Sequence, residues 1–457
     1  PDGIRPTKKD FNNFSPTLGF AWNVKNDNKT VVRGGAGVYY DTRVLWQRLR
    51  ERSLIGPVGN GRQQIPGSAV NNQAAFGIPG LPVGVPLEFR SAPSPFNLGH
   101  LMNILPTVRA QAERQFANPN PTDLSVRNIH LAKTGVDLMP PNYPTSYSTH
   151  YNLGIQREIM RDLVVSADFV YRQFVHTLFS GVDYNRFNRL AGPVIPRCAT
   201  AAQAANPAAQ CSTGVITFFD PGDRSKYRGL LVKVDKRFSN RYQFTASYGL
   251  QAARGTSGIV NLDNWFQSYG PQGPRHVLNV SGIVELPMKF QVSFISSHIS
   301  RGPFMPSISG IDLDGDGLDS EPLPGAKFNG FNRGLGKEDL SRLVNEFNQR
   351  YPNLPNGQRP RTARGQTIPL LSLPSEYEFG DAFHSQDIRI SRFFEFKERY
   401  RISVFAEMFN VLNVANLGGF SGNLANPAGF GQPTSRASQV FGSGGPRALQ
   451  LGARFSF

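Results

Sequence analysis

The chain has 457 residues, with 49 Lys and Arg against 33 Asp and Glu for a formal charge of +16; only 18% of residues are charged, 11% are aromatic, and 46 are Gly and 35 Pro. Mean hydropathy is negative and no apolar run approaches the roughly 18 residues a membrane helix needs, which excludes a helical membrane protein. Lys and Arg are dispersed over the chain rather than gathered on one helix or stripe, which excludes nucleic acid as a partner.

Residues 14–23 and 29–40 alternate apolar and polar side chains around Lys25-Asn26-Asp27-Asn28, which predicts a first β-hairpin. A connection rich in Gly, Pro and Asn, 41–147, follows; within it Thr107 to Ala117, after Pro106, reads as a short helix. Strands 148–157 and 163–173 flank Met160-Arg161-Asp162. The next connection, 174–225, carries both cysteines, Cys198 and Cys211, which an oxidising compartment would pair. Strands 226–238 and 242–251 give the cleanest hairpin: Leu230, Val232 and Val234 oppose Lys233, Asp235 and Arg237, and Tyr242, Phe244, Ala246 and Tyr248 oppose Gln243, Thr245 and Ser247.

After the connection 252–273, strands 274–286 and 289–299 meet at Pro287-Met288. Connection 300–382 repeats Leu340, Leu343, Val344 and Phe347 at helical spacing over 337–351, after Gly336. Strands 383–394 and 399–409 are joined by four residues, and a last connection, 410–445, leads to 446–457. There Leu449, Leu451, Ala453, Phe455 and Phe457 share one face, opposite Gln450, Gly452, Arg454 and Ser456.

An apolar face opposite a polar one, on strands long enough for a tilted crossing, suits lipid on one side and a wet lumen on the other. Short turns and very long connections alternate strictly. The expected fold is an all-β, antiparallel transmembrane barrel with short turns in the periplasm and long loops outside, and with Phe457 at the periplasmic end. Eleven strands would leave two unpaired edges in hydrocarbon, and a chain that starts at Pro1 reads as a processed product or a fragment. Further polypeptide is expected to close the barrel.

Asn13-Phe-Ser-Pro-Thr-Leu-Gly-Phe-Ala-Trp22 and Lys29-Thr-Val-Val-Arg-Gly-Gly-Ala-Gly-Val-Tyr-Tyr-Asp41 resemble the barrel of Oar-like TonB-dependent receptors. So do Tyr151-Asn-Leu-Gly-Ile-Gln-Arg-Glu158, Val232-Lys-Val-Asp-Lys-Arg-Phe-Ser239, Arg275-His276 with Val280-Ser-Gly-Ile-Val-Glu-Leu-Pro287, Ala406-Glu-Met-Phe-Asn-Val-Leu-Asn413 and the terminal Phe457. The resemblance implies a 22-stranded outer-membrane barrel of which this chain is the C-terminal half. The family's plug, TonB box and early strands have no counterpart in the sequence. Implied partners are that missing N-terminal half, TonB, outer-membrane lipid and lipopolysaccharide, and the barrel-assembly machinery, for which Phe455 and Phe457 form the C-terminal signal.

Asp312-Leu-Asp-Gly-Asp-Gly-Leu-Asp-Ser-Glu321 places Asp312, Asp314 and Asp316 in alternation, with Asp319 beyond and Gly317 for a tight turn, as a calcium loop requires. The twelfth position is Leu323 rather than Glu, so an EF-hand is excluded and any site must borrow Asp319, Glu321 or backbone carbonyls; the other reading is a solvated acidic turn. Asp235, Arg237, Asp387, Arg389, Glu407 and Arg454 fall on polar faces as candidate lumen-lining residues, or else pair across neighbouring strands. Tyr39, Tyr40, Phe169, Tyr171, Tyr248 and Phe457 read as a membrane girdle. The net charge suits contact with lipopolysaccharide phosphates, attraction of an anionic solute, or compensation by acids elsewhere in a longer protein. The histidines are scattered and neither Gly-x-Ser-x-Gly nor His-Glu-x-x-His occurs, so no enzyme activity is expected. The expected function is uptake of a scarce solute, peptide, protein or glycan-derived, through a plugged lumen; the alternatives are a structural or adhesive barrel and a secreted β-rich binding protein.

Overall fold

The computed structural model describes residues 10–24, 26, 29–41, 134–138, 140, 142–206, 209–396, 400–436 and 442–457. In chain order they form β1 (Thr17–Asn23), β2 (Thr30–Tyr40), β3 (Gly135–Leu138), β4 (Tyr147–Met160), β5 (Leu163–Asp183), α1 (Ala201–Ala205), β6 (Ile216–Ser239), β7 (Tyr242–Thr256), β8 (Tyr269–Gln272), β9 (His276–Leu286), β10 (Phe290–Ile299), β11 (Ser307–Ser309), β12 (Ser320–Pro322), α2 (Lys337–Arg350), β13 (Phe383–Phe396), β14 (Tyr400–Phe409), β15 (Leu417–Gly418), β16 (Ser435–Arg436) and β17 (Ala448–Ser456). The helix expected at Thr107 to Ala117 lies outside the described residues, as does most of the connection 41–147.

Two compact units divide the chain. One comprises residues 1–11, 41–145 and 179–220. In it the start of β6 pairs in parallel with β3, and the near-buried Asp183 carboxylate accepts N–H groups from Asn185 (3.0 Å), Phe187 (2.7 Å) and Ile216 (3.2 Å). Cys198 and Cys211 are joined in a disulfide around α1, whose first turn is capped by Thr200 Oγ1 accepting from Gln203 N at 3.2 Å.

The other unit comprises residues 12–40, 146–178 and 221–457. It holds an antiparallel path in the order β1-β2-β4-β5-β6-β7-β9-β10-β13-β14-β17, so every neighbour is the next long strand in the sequence. Among the described residues β1 and β17 do not pair with each other, and the sheet has two edges. Register makes the two faces chemically distinct. Leu451, Ala406, Ile390, Val292, Val284 and Tyr242 lie in one row across six strands. One residue along, on the opposite face, the row reads Gln450, Glu407, Arg389, Ser293, Ile283 and Gln243. A slip of one residue would exchange the faces, so the alternation itself fixes the register.

Short turns close the hairpins at one end. Asn240 and Arg241 take φ of 53° and 68°, the left-handed pair of a type I′ turn, whose twist matches that of β6 and β7. Several strands run past their expected ends: β5 reaches Asp183 instead of 173, β6 begins at Ile216 instead of 226, and β7 extends to Thr256 instead of 251. Hydrogen bonding continues there after the alternation lapses, because beyond an apolar band nothing imposes it; Pro221-Gly222 inside β6 hid the continuation.

The connections 300–382 and 410–445 are not open loops. They share a core in which Ile308, Phe331, Leu340, Leu424 and Phe430 are wholly buried, and β11–β12, α2 and bridges such as Ser307 with Asn423 surround it. Helix α2 buries Leu340, Leu343, Val344 and Phe347 into this core, with Glu338 and Asp339 favourably placed in its first turn and Arg350 in its last. Arg359 ties the segment after α2 by donating to the carbonyls of Tyr351 (2.7 Å), Ile368 (3.0 Å) and Pro369 (2.9 Å).

Candidate functional site

The acidic turn sits on this loop module between β11 and β12. Gly315 and Gly317, at φ of 81° and 99°, let the chain fold back so that Asp312 accepts both of their N–H groups, at 2.6 and 2.9 Å. Asp316 accepts from Leu318 N (2.8 Å) and Leu262 N (2.5 Å), and Asn261 Nδ2 donates to Asp314 at 2.5 Å. One ligand oxygen from each of Asp312, Asp314, Asp316 and Glu321 lies within 4.8 Å of the others. Asp319, expected in this set, is instead held by Arg364 Nη1 (3.2 Å) and Gln366 Nε2 (3.2 Å). Its place is taken by Glu321, which β12 carries back over the turn and which accepts from Leu313 N at 3.3 Å.

Burial pushes the Glu321 carboxyl up to about 8, helped by the charges of Asp314, Asp316 and Asp312. Burial also raises Asp316 and Asp314, with neighbouring carboxylates adding to the effect on each. Arg364 contacts Asp312 at 3.1 Å and offsets only part of this negative charge. Such a cluster either holds protons or takes a hard cation, for which several converging carboxylate oxygens are the fitting donors.

On the polar face of the sheet, Arg33 and Asp168 pair at 2.8 Å across β4. The pair passes over Gly154, where a Cβ would fall 2.0 Å from Asp168 Oδ1. Neither partner was singled out by sequence, although both occupy polar positions of alternating strands. Asp235 pairs with Lys233 (2.9 Å) and accepts from Thr245 Oγ1 (3.1 Å), and with Arg237, Gln243 and Ser293 it lines a cleft of about 460 Å³. Arg389 lies opposite Glu407 in register with its guanidinium 3.6 Å from the Phe405 ring, and Arg454 lies opposite Ser403. Asp387 differs from these: it is buried and accepts from Asn410 N (2.8 Å), Ser385 Oγ (3.1 Å) and Ser443 Oγ. It fixes the start of the connection after β14 rather than lining a path.

The aromatic residues also divide. Tyr40 and Tyr147 (5.7 Å between rings) and Tyr151 and Tyr171 (6.1 Å) lie on the apolar face, whereas Tyr39 turns to the polar one and packs its ring 4.7 Å from His150. Consecutive strand residues cannot share a face, so Tyr39 and Tyr40 do not belong to one girdle. At the chain end Phe455 stacks on Tyr400 (5.8 Å) and Phe457 (5.9 Å), and both phenylalanines are exposed.

Residues 2–303 match the model of a family described as outer membrane beta barrel domain. Among solved structures the chain is similar to the outer membrane transporter YddB from Escherichia coli, at 10% identity and a TM-score of 0.43, over 97% of this chain and 40% of that one. It is similar to the siderophore receptor PirA from Acinetobacter baumannii (10% identity, TM-score 0.40, 97% and 41%) and to the ferripyoverdine receptor of the Pseudomonas aeruginosa outer membrane (9% identity, TM-score 0.42, 99% and 34%). The chain therefore spans about two fifths or less of the length of these structures. No curated protein matches it.

Proposed function

The chain belongs to the outer membrane beta barrel domain family, and from that premise we propose that it is the C-terminal barrel half of an Oar-like, TonB-dependent receptor that takes up a scarce peptide, protein or glycan-derived solute. The observation that carries this reading is a sheet of eleven sequentially paired strands in which, among the described residues, β1 and β17 stay unpaired with each other, while two of its connections fold into a module with a shared core. Unpaired edges are costly in hydrocarbon, which favours further strands of the same polypeptide as the closing element. A connection that invests in a core presents a defined surface, as solute capture requires. In this reading the short turns and Phe457 are periplasmic, the long connections are extracellular, TonB supplies the energy, the barrel-assembly machinery inserts the chain, and no enzymatic step is involved. Calcium at Asp312, Asp314, Asp316 and Glu321 would brace the capture module.

The test is uptake of a fluorescent casein-peptide mixture by cells making the full-length protein or a form with residues 303–380 replaced by a short linker. The receptor reading expects uptake that a protonophore abolishes and the deletion reduces. Uptake indifferent to both, with cell adhesion lost on deletion, would establish the scaffold reading instead.

A further inference from the structure

On β6 the exposed side chains of one face read Arg224, Lys226, Arg228, Leu230 and then, continuing along the strand, Val232 and Val234. Across the ladder, Val234 faces Ala246, Val232 faces Tyr248 and Leu230 faces Leu250, but Arg228 faces Ala252 and Lys226 faces Arg254. A single sheet face thus changes from apolar to cationic at one level, on the side of the long connections. On the same face of the partner strand, the run from Tyr242 to Ala252, which faces Arg228, is about 33 Å along the strand, or about 25 Å of height once strand tilt is allowed for, close to that of a lipid-facing band.

Two like charges directly opposite each other destabilise a strand pair unless an anion lies between them. Among the described residues none of these four cations has an ion pair, and neighbouring Asp223 is engaged by Thr256 Oγ1 at 2.7 Å and by the N–H of Arg224 at 2.7 Å. Two of the guanidiniums are steadied by rings: Arg224 lies 4.7 Å from the Phe266 centroid and Arg254 lies 5.6 Å from that of Tyr269. Stacking of this kind holds a guanidinium in place while leaving its N–H groups for a second partner.

We propose that Arg224, Lys226, Arg228 and Arg254 form a docking site for the phosphate groups of a glycolipid headgroup in the outer leaflet. The proposal rests on the membrane reading of the sheet and adds the identity of what meets it at the upper rim. Acyl chains would lie along Leu230, Val232 and Leu250, and the headgroup phosphates would fall between Lys226 and Arg254, where bidentate Arg contacts are available.

The test uses the full-length protein in neutral detergent, with a bisphosphorylated acylated glucosamine disaccharide and its dephosphorylated form as probes, read by native mass spectrometry. The wild type should retain the phosphorylated lipid preferentially. The double variant Lys226→Ala/Arg254→Ala should weaken that retention roughly 25-fold, at about fivefold per cation near a charged surface. Lys289→Ala, an exposed cation at the short-turn end paired with Glu395, should leave it unchanged. Raising the ionic strength on unmodified protein gives a second measurement that needs no variant, and it should weaken the preference. Equal retention of both lipids by the wild type, or unchanged retention by the double variant, overturns the proposal. Displacement by inorganic phosphate as effective as that by the lipid itself also overturns it, in favour of a soluble-anion site. Failure of the membrane reading looks different: the protein would then not insert into phosphatidylcholine vesicles at all.

Discussion

Changing Glu321→Gln should remove the loop module's pH response near 8 and weaken its response to calcium. In the folded protein the Glu321 carboxyl titrates at about 8 against an ordinary 4.5, because it is buried and shares its site with three other carboxylates. The folded pKa lies above the unfolded one, so the folded state binds more protons between the two values. The associated stability is therefore fully present below about 4.5 and lost as pH rises through 8. A gap of about 3.5 units corresponds to on the order of 5 kcal/mol over the whole window, an upper value because neighbouring carboxylates share the titration. A divalent cation bound to the ionised carboxylates would reverse the loss at the alkaline end. The assay is amide hydrogen exchange of peptides from residues 303–331, corrected for intrinsic rates, at both ends of the window with chelator or with calcium. Wild-type protection should fall as pH rises through about 8 in chelator and recover with calcium, whereas Glu321→Gln should lose the step near 8 and recover less with calcium. Protection that is flat with pH in chelator, or a step near 8 that survives in Glu321→Gln, would refute the coupling of this carboxyl to the module.

Three other perturbations probe different parts of the structure. Leu451→Arg should destabilise folding in bilayers by about 2–4 kcal/mol if the residue faces lipid near the midplane, whereas Gln450→Arg, one residue away and opposite Glu407, should be near neutral in the same urea titration. Gly154→Ala should displace the Asp168 carboxylate and release Arg33. The pair is partly exposed, so this costs about 1 kcal/mol or less, and the cost should vanish in an Asp168→Ala background, which removes the clashing carboxylate. Phe347→Ala should remove about 3–5 kcal/mol from the module's core, with exchange rising in residues 303–380 and unchanged in β13 and β14.

The sheet was legible in the sequence because lipid and water impose a period of two on every crossing, and that period survives in Leu449 to Phe457 as clearly as in Val232 to Arg237. It was illegible where that constraint ends. The distal parts of β5, β6 and β7 keep their ladders without alternation, and β3 and β8 are too short to show one. The module built from 300–382 and 410–445 was missed for a related reason: Phe304, Phe331, Phe379 and Phe430 converge from irregular backbone, so their burial leaves no periodic trace, unlike the helical spacing of Leu340 to Phe347. Spacing placed Asp312, Asp314 and Asp316 together, since neighbours on one turn must meet. The choice between Asp319 and Glu321, both open from the sequence, depended on where β12 returns and on Arg364, contributed from a distant stretch of the chain. Arg33 and Asp168 lie 135 residues apart, and only the register of β2, β4 and β5 joins them.

The assignment of lipid to one face and water to the other is tested most directly by placing a nitroxide at each position from Leu449 to Phe455 in the bilayer-inserted protein and measuring collision with oxygen and with a water-soluble nickel complex. Oxygen collision should peak at Leu449, Leu451, Ala453 and Phe455 and nickel collision at Gln450, Gly452 and Arg454, in strict alternation along β17. Equal access of the nickel complex to both sets, or no alternation at all, would contradict it.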